Sequence, residues 1–404
     1  MRLTLTALLA VMIIGLGVPA FAELQNVEVG GAIRIRGNYW GAGAAQLSFD
    51  DNDADNLHFE QRTLINVKAD FTDDVTAFIE LDSYNLWGDD FRANVLSGVD
   101  NQGATDIGLY QAYIEMREAW GYPLTFKIGR QEIQLGSEWL VGNNDTASNF
   151  KGLSFDAVVA SYAADQFTLT GLWARLVQDT APLAHDDDAD LVAVYASYTG
   201  LEDMTIDGYW IWARAPFPIP AAETADFHTV GARFAGVYTQ FDWDVEGAFQ
   251  FGDSGAIVGQ DQEAFGFTGD VGYTFDIEYQ PRVFVTGTYY SGDDKDAPFN
   301  RLFSDHEDSE FLGNTELSNY WMIGGGASAQ VTEEIEVSGV VSYFQIDEDF
   351  GAADDDVGLE LGLYSTYNYS EDLYFEAGYA HFFTGDAIGN PGDDLNYFYL
   401  ETGL

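Results

Sequence analysis

Apolar and polar residues alternate along almost the whole chain, in runs of about ten to fourteen residues, which is the period of a half-buried β-strand. Helical spacing is nearly absent. Eighteen runs are counted, beginning near Val27, Leu57, Val75, Asp106, Leu124, Gly152, Gln166, Asp190, Met204, Asp226, Phe241, Glu263, Tyr279, Glu316, Ile335, Asp356, Leu373 and Leu395. The connections alternate too. Long, acidic, Gly-rich segments, such as 41–56, 88–105, 134–149 and 292–315, take turns with short ones. The short ones repeat a small clause of Thr or Ser, two acids and a β-branched or aromatic run: "FTDDVTAFIE" from Phe71, "VTEEIEVSG" from Val331, "YSEDLYFEAG" from Tyr369.

Short turns recur about every forty residues with two strands between them, too few and too long for a propeller blade. The pattern predicts an all-β fold: a transmembrane antiparallel up-and-down β-barrel of about 18 strands, with short periplasmic turns and long acidic extracellular loops. A closed barrel satisfies every backbone polar group in lipid. The faces agree. Ile33 and Ile35 oppose Arg34 and Arg36; Trp243, Val245, Phe249 and Phe251 oppose Asp242, Asp244, Glu246 and Gln250; Val357, Leu359, Leu361 and Leu363 oppose Gly358, Glu360 and Tyr364. Aromatic residues make up 15% of the chain and gather near strand ends (Trp40, Trp87, Trp120, Tyr122, Trp210, Trp212), as interfacial girdles do. The last strand, "FYLETGL", puts Phe398, Leu400, Thr402 and Leu404 on one face, the form of ending that barrel-assembly machinery reads.

Residues 1–22 read as a secretory leader: one Arg, an apolar stretch, then Ala20-Phe21-Ala22 before a cut at Glu23. Residues 23–404 then form a single barrel domain, placed in the outer membrane of a Gram-negative-type bacterium. There is no Cys, so no disulfide or thiolate chemistry exists. Sixteen basic residues against 67 acidic ones give a net charge of −51, which excludes nucleic acid as a partner. The acids cluster in "DDNDAD" (50–55), "HDDDAD" (185–190) and "DEDFGAADDD" (347–356), read as solvated loop surface with loosely bound divalent cations. "DDNDADNLHFEQ" lacks the Gly at position six and the Glu at position twelve of a calcium loop. No cofactor or metal site is expected. The five His are scattered, and no G-x-S-x-G motif occurs.

"IGRQEIQLGSEWLVGNNDTASNFKGLSFDAV" (128–158) resembles the signature region of the alginate export family of outer-membrane channels. "LHFEQRTLINVKADFTDDVTAFIELDSYNLWG" (57–88) is similar to that family's early hairpin, and "YQAYIEM" (110–116) to its fourth strand. The resemblance is strongest over 27–160. It implies an eighteen-stranded monomer that passes polyanionic polysaccharide through an Arg-lined lumen, helped by inward-folded loops. Trp139 stands where the family tends to carry an Arg.

Arg or Lys on the lipid face costs about 2–4 kcal/mol at mid-bilayer, so strand charges are expected in the lumen. Alternation selects Arg34, Arg36, Glu60, Arg62, Lys68, Glu80, Asp82, Glu115, Arg117, Lys127 and Arg175, with Asp242, Asp244 and Glu246 from later strands. Arg130, also a lumen candidate, shares the outward phase of Phe126 and Ile128, so it needs either a bulge or an interfacial position. Bases concentrate before residue 180, and inward acids after it. This predicts either a mixed-to-basic wall facing an acidic one, with a transverse field between them, or charges that pair locally and only hydrate the lumen. The loop 134–149, carrying Glu138, Trp139, Asn143, Asn144 and Asp145, is expected either to fold inward as a constriction or to set Trp139 against the outer leaflet. The function expected is passive passage of polar solutes, oligo- or polysaccharides such as alginate-like polymers among them, with outer-membrane lipid or lipopolysaccharide around the barrel. The alternatives are a plugged structural or adhesive barrel with cation-binding loops, and a barrel lipid hydrolase.

Overall fold

The computed structural model describes residues 24–41, 56–88, 107–145, 150–178, 188–216, 224–255, 259–293, 295–312, 317–349, 354–388 and 394–404. The leader, the stretch 50–55 and parts of 185–190 and 347–356 lie outside the described residues.

Every alternating run becomes a strand. The first six are β1 (Asn26–Gly41), β2 (Asn56–Thr72), β3 (Val75–Leu86), β4 (Ile107–Met116), β5 (Leu124–Gln131) and β6 (Phe155–Ala164). The next six are β7 (Phe167–Val177), β8 (Ala189–Leu201), β9 (Met204–Pro216), β10 (Thr224–Tyr238), β11 (Phe241–Asp253) and β12 (Asp261–Thr274). The last six are β13 (Arg282–Tyr290), β14 (Tyr320–Gln330), β15 (Ile335–Ile346), β16 (Asp356–Asn368), β17 (Tyr374–Thr384) and β18 (Leu395–Gly403). The largest difference from an expected start is Tyr320 against Glu316.

Each strand pairs antiparallel with its sequence neighbours, and β1 pairs with both β2 and β18. The seam runs from Arg34 opposite Gly403 to Gly41 opposite Asn396, and the backbones of Ile33 and Leu404 exchange two hydrogen bonds of 2.9 Å. The sheet therefore has no edge, the condition for a strand structure in hydrocarbon.

The outer surface is apolar in strand phase. Val29, Ile107, Ile128, Val285 and Leu363 are all exposed. Trp120, Tyr122, Tyr238, Tyr279 and Tyr369 stand exposed by the short turns and form an aromatic rim there, while Trp87 is exposed at the long-loop end. One face assignment changes. A bulge opposite Phe344 and Gln345 shifts the phase, so Val357 points inward and is buried. Gly358, at φ 137°, makes the bulge; a Cβ there would meet the Phe383 carbonyl oxygen at 2.3 Å.

A lipid-facing charge in the middle of β10 tests this orientation. Val230 pairs with Trp210 and Phe249 on the outer face. Val230→Arg is expected to lower stability by about 2–4 kcal/mol in urea titrations of the vesicle-embedded barrel, and Val230→Ala by far less.

Candidate functional site

The described parts of two long connections enter the lumen and meet there: 132–145 and 150–154 between β5 and β6, and 295–312 between β13 and β14. Val141 bridges Phe303 in parallel. The Gly142 amide donates to the Phe303 carbonyl at 2.8 Å, the Phe303 amide to Leu140 at 2.9 Å, and the Asp305 amide to Glu138 at 3.0 Å. Trp139 is fully buried in a three-ring cluster: Tyr290 and Phe299 each lie at 18° to its plane, and their own ring centres are 5.6 Å apart. Its indole N–H donates to Tyr290 Oη at 2.9 Å. This apolar pair of loops packs on inward residues such as Leu172, Leu191, Ile211 and Phe227, so one arc of the lumen is filled. The described residues 134–145 run inward, by these contacts. Ser137 Oγ donates to Glu246 on the far wall at 2.6 Å, and Glu246 also accepts from Tyr209 Oη at 2.8 Å.

The opposite arc carries the basic patch. Arg34 of β1 and Arg62 of β2 lie directly opposite on one rung. Like charges so placed repel. The conflict is resolved by Asp145, which accepts from Arg34 Nη1 and from Arg62 Nη1, each at 2.7 Å. Glu401 of β18 binds Arg34 Nε at 3.1 Å and Arg36 Nε at 2.7 Å, and Asp82 takes Arg62 Nη2 at 3.0 Å. Phe150 lies under Arg34, 4.0 Å from guanidinium carbon to ring centre, and Tyr110 under Arg62 at 4.7 Å. The chain between them must be a glycine. Gly152 has φ 68°, and a Cβ would meet Tyr110 Oη at 2.4 Å and Arg62 Nη2 at 2.7 Å. Asn143 and Asn144 hold the bend: Asn143 Oδ1 accepts from the Asp145 amide at 3.2 Å, and Asn144 has φ 53°.

The remaining inward candidates form local sets. Glu60 accepts from Asn38 Nδ2 at 2.7 Å and Tyr84 Oη at 3.0 Å; Glu80 accepts from Gln111 at 2.9 Å and Asn66 at 3.0 Å. Lys68 sits 3.6 Å from Glu28 and 3.8 Å from Asp70. Glu115 lies across from Lys127 and 3.4 Å from Arg117, while Lys127 caps the Tyr113 ring at 4.0 Å. Asp242 and Asp244 hold bases that the sequence reading passed over: Arg282 Nε donates to Asp242 at 3.0 Å, and Arg233 bridges Asp244 and Asp207. Arg233, Arg282 and Glu401 all sit in inward phase next to outward residues such as Phe234 and Leu400, so alternation could have found them. The transverse field does not arise in the expected form, because bases stand on both walls and each is matched by nearby carboxylates.

Arg130 and Arg175 both point outward: Arg175 contrary to expectation, and Arg130 in the phase that had left it a bulge or an interfacial position. Arg130 pairs with Asp156, Nη2 to Oδ2 at 2.8 Å, and both side chains are about half exposed. Arg175 pairs with Asp188 and, at 3.2 Å, with Asp190, in the phase of the exposed Phe167 and Leu169. Each outward arginine has a carboxylate on the next strand, which lowers the lipid-face penalty that had made lumen candidates of both.

Within the loops, burial and the neighbouring Glu138 push the Asp305 carboxyl up to about 7. Burial, with Glu307 adding repulsion, does the same to Glu310, up to about 7. A cavity of about 320 Å³ opens beside Glu307, Glu310 and Glu360.

No curated protein sequence matches the chain. Solved porins share its fold at low identity. The OccK8 (OprE) structure from Pseudomonas aeruginosa has a TM-score of 0.62 at 12% identity, covering 93% of this chain and 97% of its own. A BenF-like porin from Pseudomonas fluorescens Pf-5 has 0.62 at 10%, covering 94% and 98%. OpdL of P. aeruginosa has 0.64 at 10%, covering 93% and 98%. The family model for alginate export matches residues 25–398, nearly the whole barrel. With eighteen strands closed on themselves and a loop-narrowed lumen, this chain belongs to the alginate export family of outer-membrane β-barrels, as a solute channel rather than an enzyme.

Proposed function

We propose that the channel passes acidic saccharides, uronate oligomers of the alginate type among them, along the Arg34–Arg36–Arg62 arc. One observation carries the reading: two arginines facing each other across a rung form a fork for one carboxylate, and Asp145 of the inward loop now fills it. A uronate carboxylate has the same charge and the same bidentate geometry. It exchanges with Asp145, while Phe150 and Tyr110 keep the guanidinium planes oriented. The filled opposite arc favours short or single-file chains over bulky ones.

Exchange predicts a competition. In planar bilayers, Asp145→Asn is expected to shift the reversal potential toward anions and to let glucuronate block the ion current at about tenfold lower concentration, the weight of one charge-assisted contact. Arg34→Ala with Arg62→Ala is expected to abolish that block. Glucuronate block that is the same in all three proteins would overturn the reading. If proteoliposomes of the wild type admit no small sugar, the barrel is plugged and the structural alternative holds.

The loop pair also sets width and pH response. Trp139→Ala removes one ring of the cluster with Tyr290 and Phe299, costs loop docking about 3–5 kcal/mol, and is expected to raise the neutral-sugar size cut-off in liposome swelling with the barrel still folded. Asp305 faces Glu138 and Glu307; Glu310 faces Glu307, Glu360, Glu376, Tyr364 and Arg36. Their raised pKa values mean that the docked loops bind protons. Docking gains most below the ordinary carboxylate pKa of about 4 and loses that gain as pH rises through about 7. Hydrogen exchange of 300–312 is expected to be slower at pH 5 than at pH 8. Equal rates would remove these carboxyls from the account.

A further inference from the structure

The outward pairs of Arg130 and Arg175 are part of something larger. One rung of the sheet carries charge on six consecutive strands: Arg130 opposite Asp156, Asp156 opposite Arg175, Arg175 opposite Asp190, Asp190 opposite Arg214, and Arg214 opposite Asp226. Cross-strand partners share a face, and this one is the outer face. The signs alternate without a break. Two residues closer to the short turns, the same strands present Ile128, Val158, Trp173, Val192, Trp212 and His228. The indoles are tied to the rung above: Trp173 Nε1 donates to Asp190 at 3.0 Å and Trp212 Nε1 to Asp226 at 2.6 Å. An apolar and aromatic row under a charged row is the profile of a membrane boundary, here on the side of the long loops.

Local pairing alone does not account for the row. An outer face gains nothing from charges that only cancel one another, since apolar pairs would serve at lower cost. The row instead offers a repeating receptor. Arginines recur on every second strand, about 10 Å apart from strand spacing, with carboxylates between them. Guanidinium groups take phosphate oxygens; carboxylates take hydroxyl donors. We propose that this row on β5–β10 is a docking site for a phosphorylated glycolipid of the outer leaflet, with phosphates on Arg175 and Arg214 and sugar hydroxyls on Asp190 and Asp226. The site is independent of the solute carried, because none of its side chains lies in the lumen.

The test compares unfolding midpoints of the full barrel in phosphatidylethanolamine–phosphatidylglycerol vesicles, alone, with lipid A, and with dephosphorylated lipid A. It also measures lipid A retained through purification. Lipid A is expected to raise the midpoint and the dephosphorylated form is not. Arg175→Gln with Arg214→Gln is expected to weaken lipid A binding by about tenfold per arginine, while ion conductance stays that of the wild type. Equal stabilisation by dephosphorylated lipid A, or by the phospholipids alone, overturns the proposal. So does unchanged lipid A retention in the double variant, or a detergent-stable oligomer that the double variant dissociates, which would give the face to a second copy of the chain. If the double variant does not fold, the comparison of the two lipid A forms on the wild type decides alone.

Discussion

Everything in this molecule depends on the seam between β1 and β18. A strand edge left open in hydrocarbon exposes a row of unpaired amides and carbonyls, each costly. Pairing the first strand with the last removes that row and at once fixes which side chains look inward. The basic patch exists because of it. Arg36 and Arg34 come from the start of the chain and Glu401 from its end, and only closure brings them within 3.1 Å. The seam that makes the barrel stable in lipid also builds one side of its lumen.

Charge is managed by close matching on a surface where almost every acid could have been a liability. With 67 acidic residues and 16 basic ones, the described arginines are placed where a carboxylate repulsion would otherwise go unanswered. Arg233 sits between Asp207 and Asp244, and Arg282 between Asp242 and Asp270. Such triads carry two acids to one base and are locally net negative. The set of Arg34, Arg36 and Arg62 with Asp145, Glu401 and Asp82 has three bases to three acids, more basic than either triad, which is why it stands out as the place where an anionic guest can gain.

The fold was legible because alternation with short and long connections has few physical solutions, and the face of a residue follows from its neighbours two positions away. Trp139 was legible as an oddity: a large ring in an otherwise polar loop needs a burial site. What alternation could not supply was register. That Arg34 faces Arg62, or that Arg175 faces Asp190, depends on how strands slide past one another, and that is set by turns, bulges and closure together. The rule that strand charges belong in the lumen failed at Arg130 and Arg175 because it treats each charge alone. A partner on the next strand changes the sum. The meeting of Val141 with Phe303 was out of reach for another reason: nothing in either loop names the other.

That meeting bears on how the barrel is made. Trp139 belongs to a hairpin near the first third of the chain, and the Tyr290 and Phe299 rings that pack on it come some 150 residues later. Neither loop has its apolar partner until both hairpins stand in the same wall. Contacts of such separation form late and slowly. The constriction therefore waits for β13 and β14, long after the hairpin that carries Trp139 has been made. Until then each loop keeps its apolar residues without their partner. The gate of the channel is a product of assembly, shared by two distant stretches of chain and complete in neither.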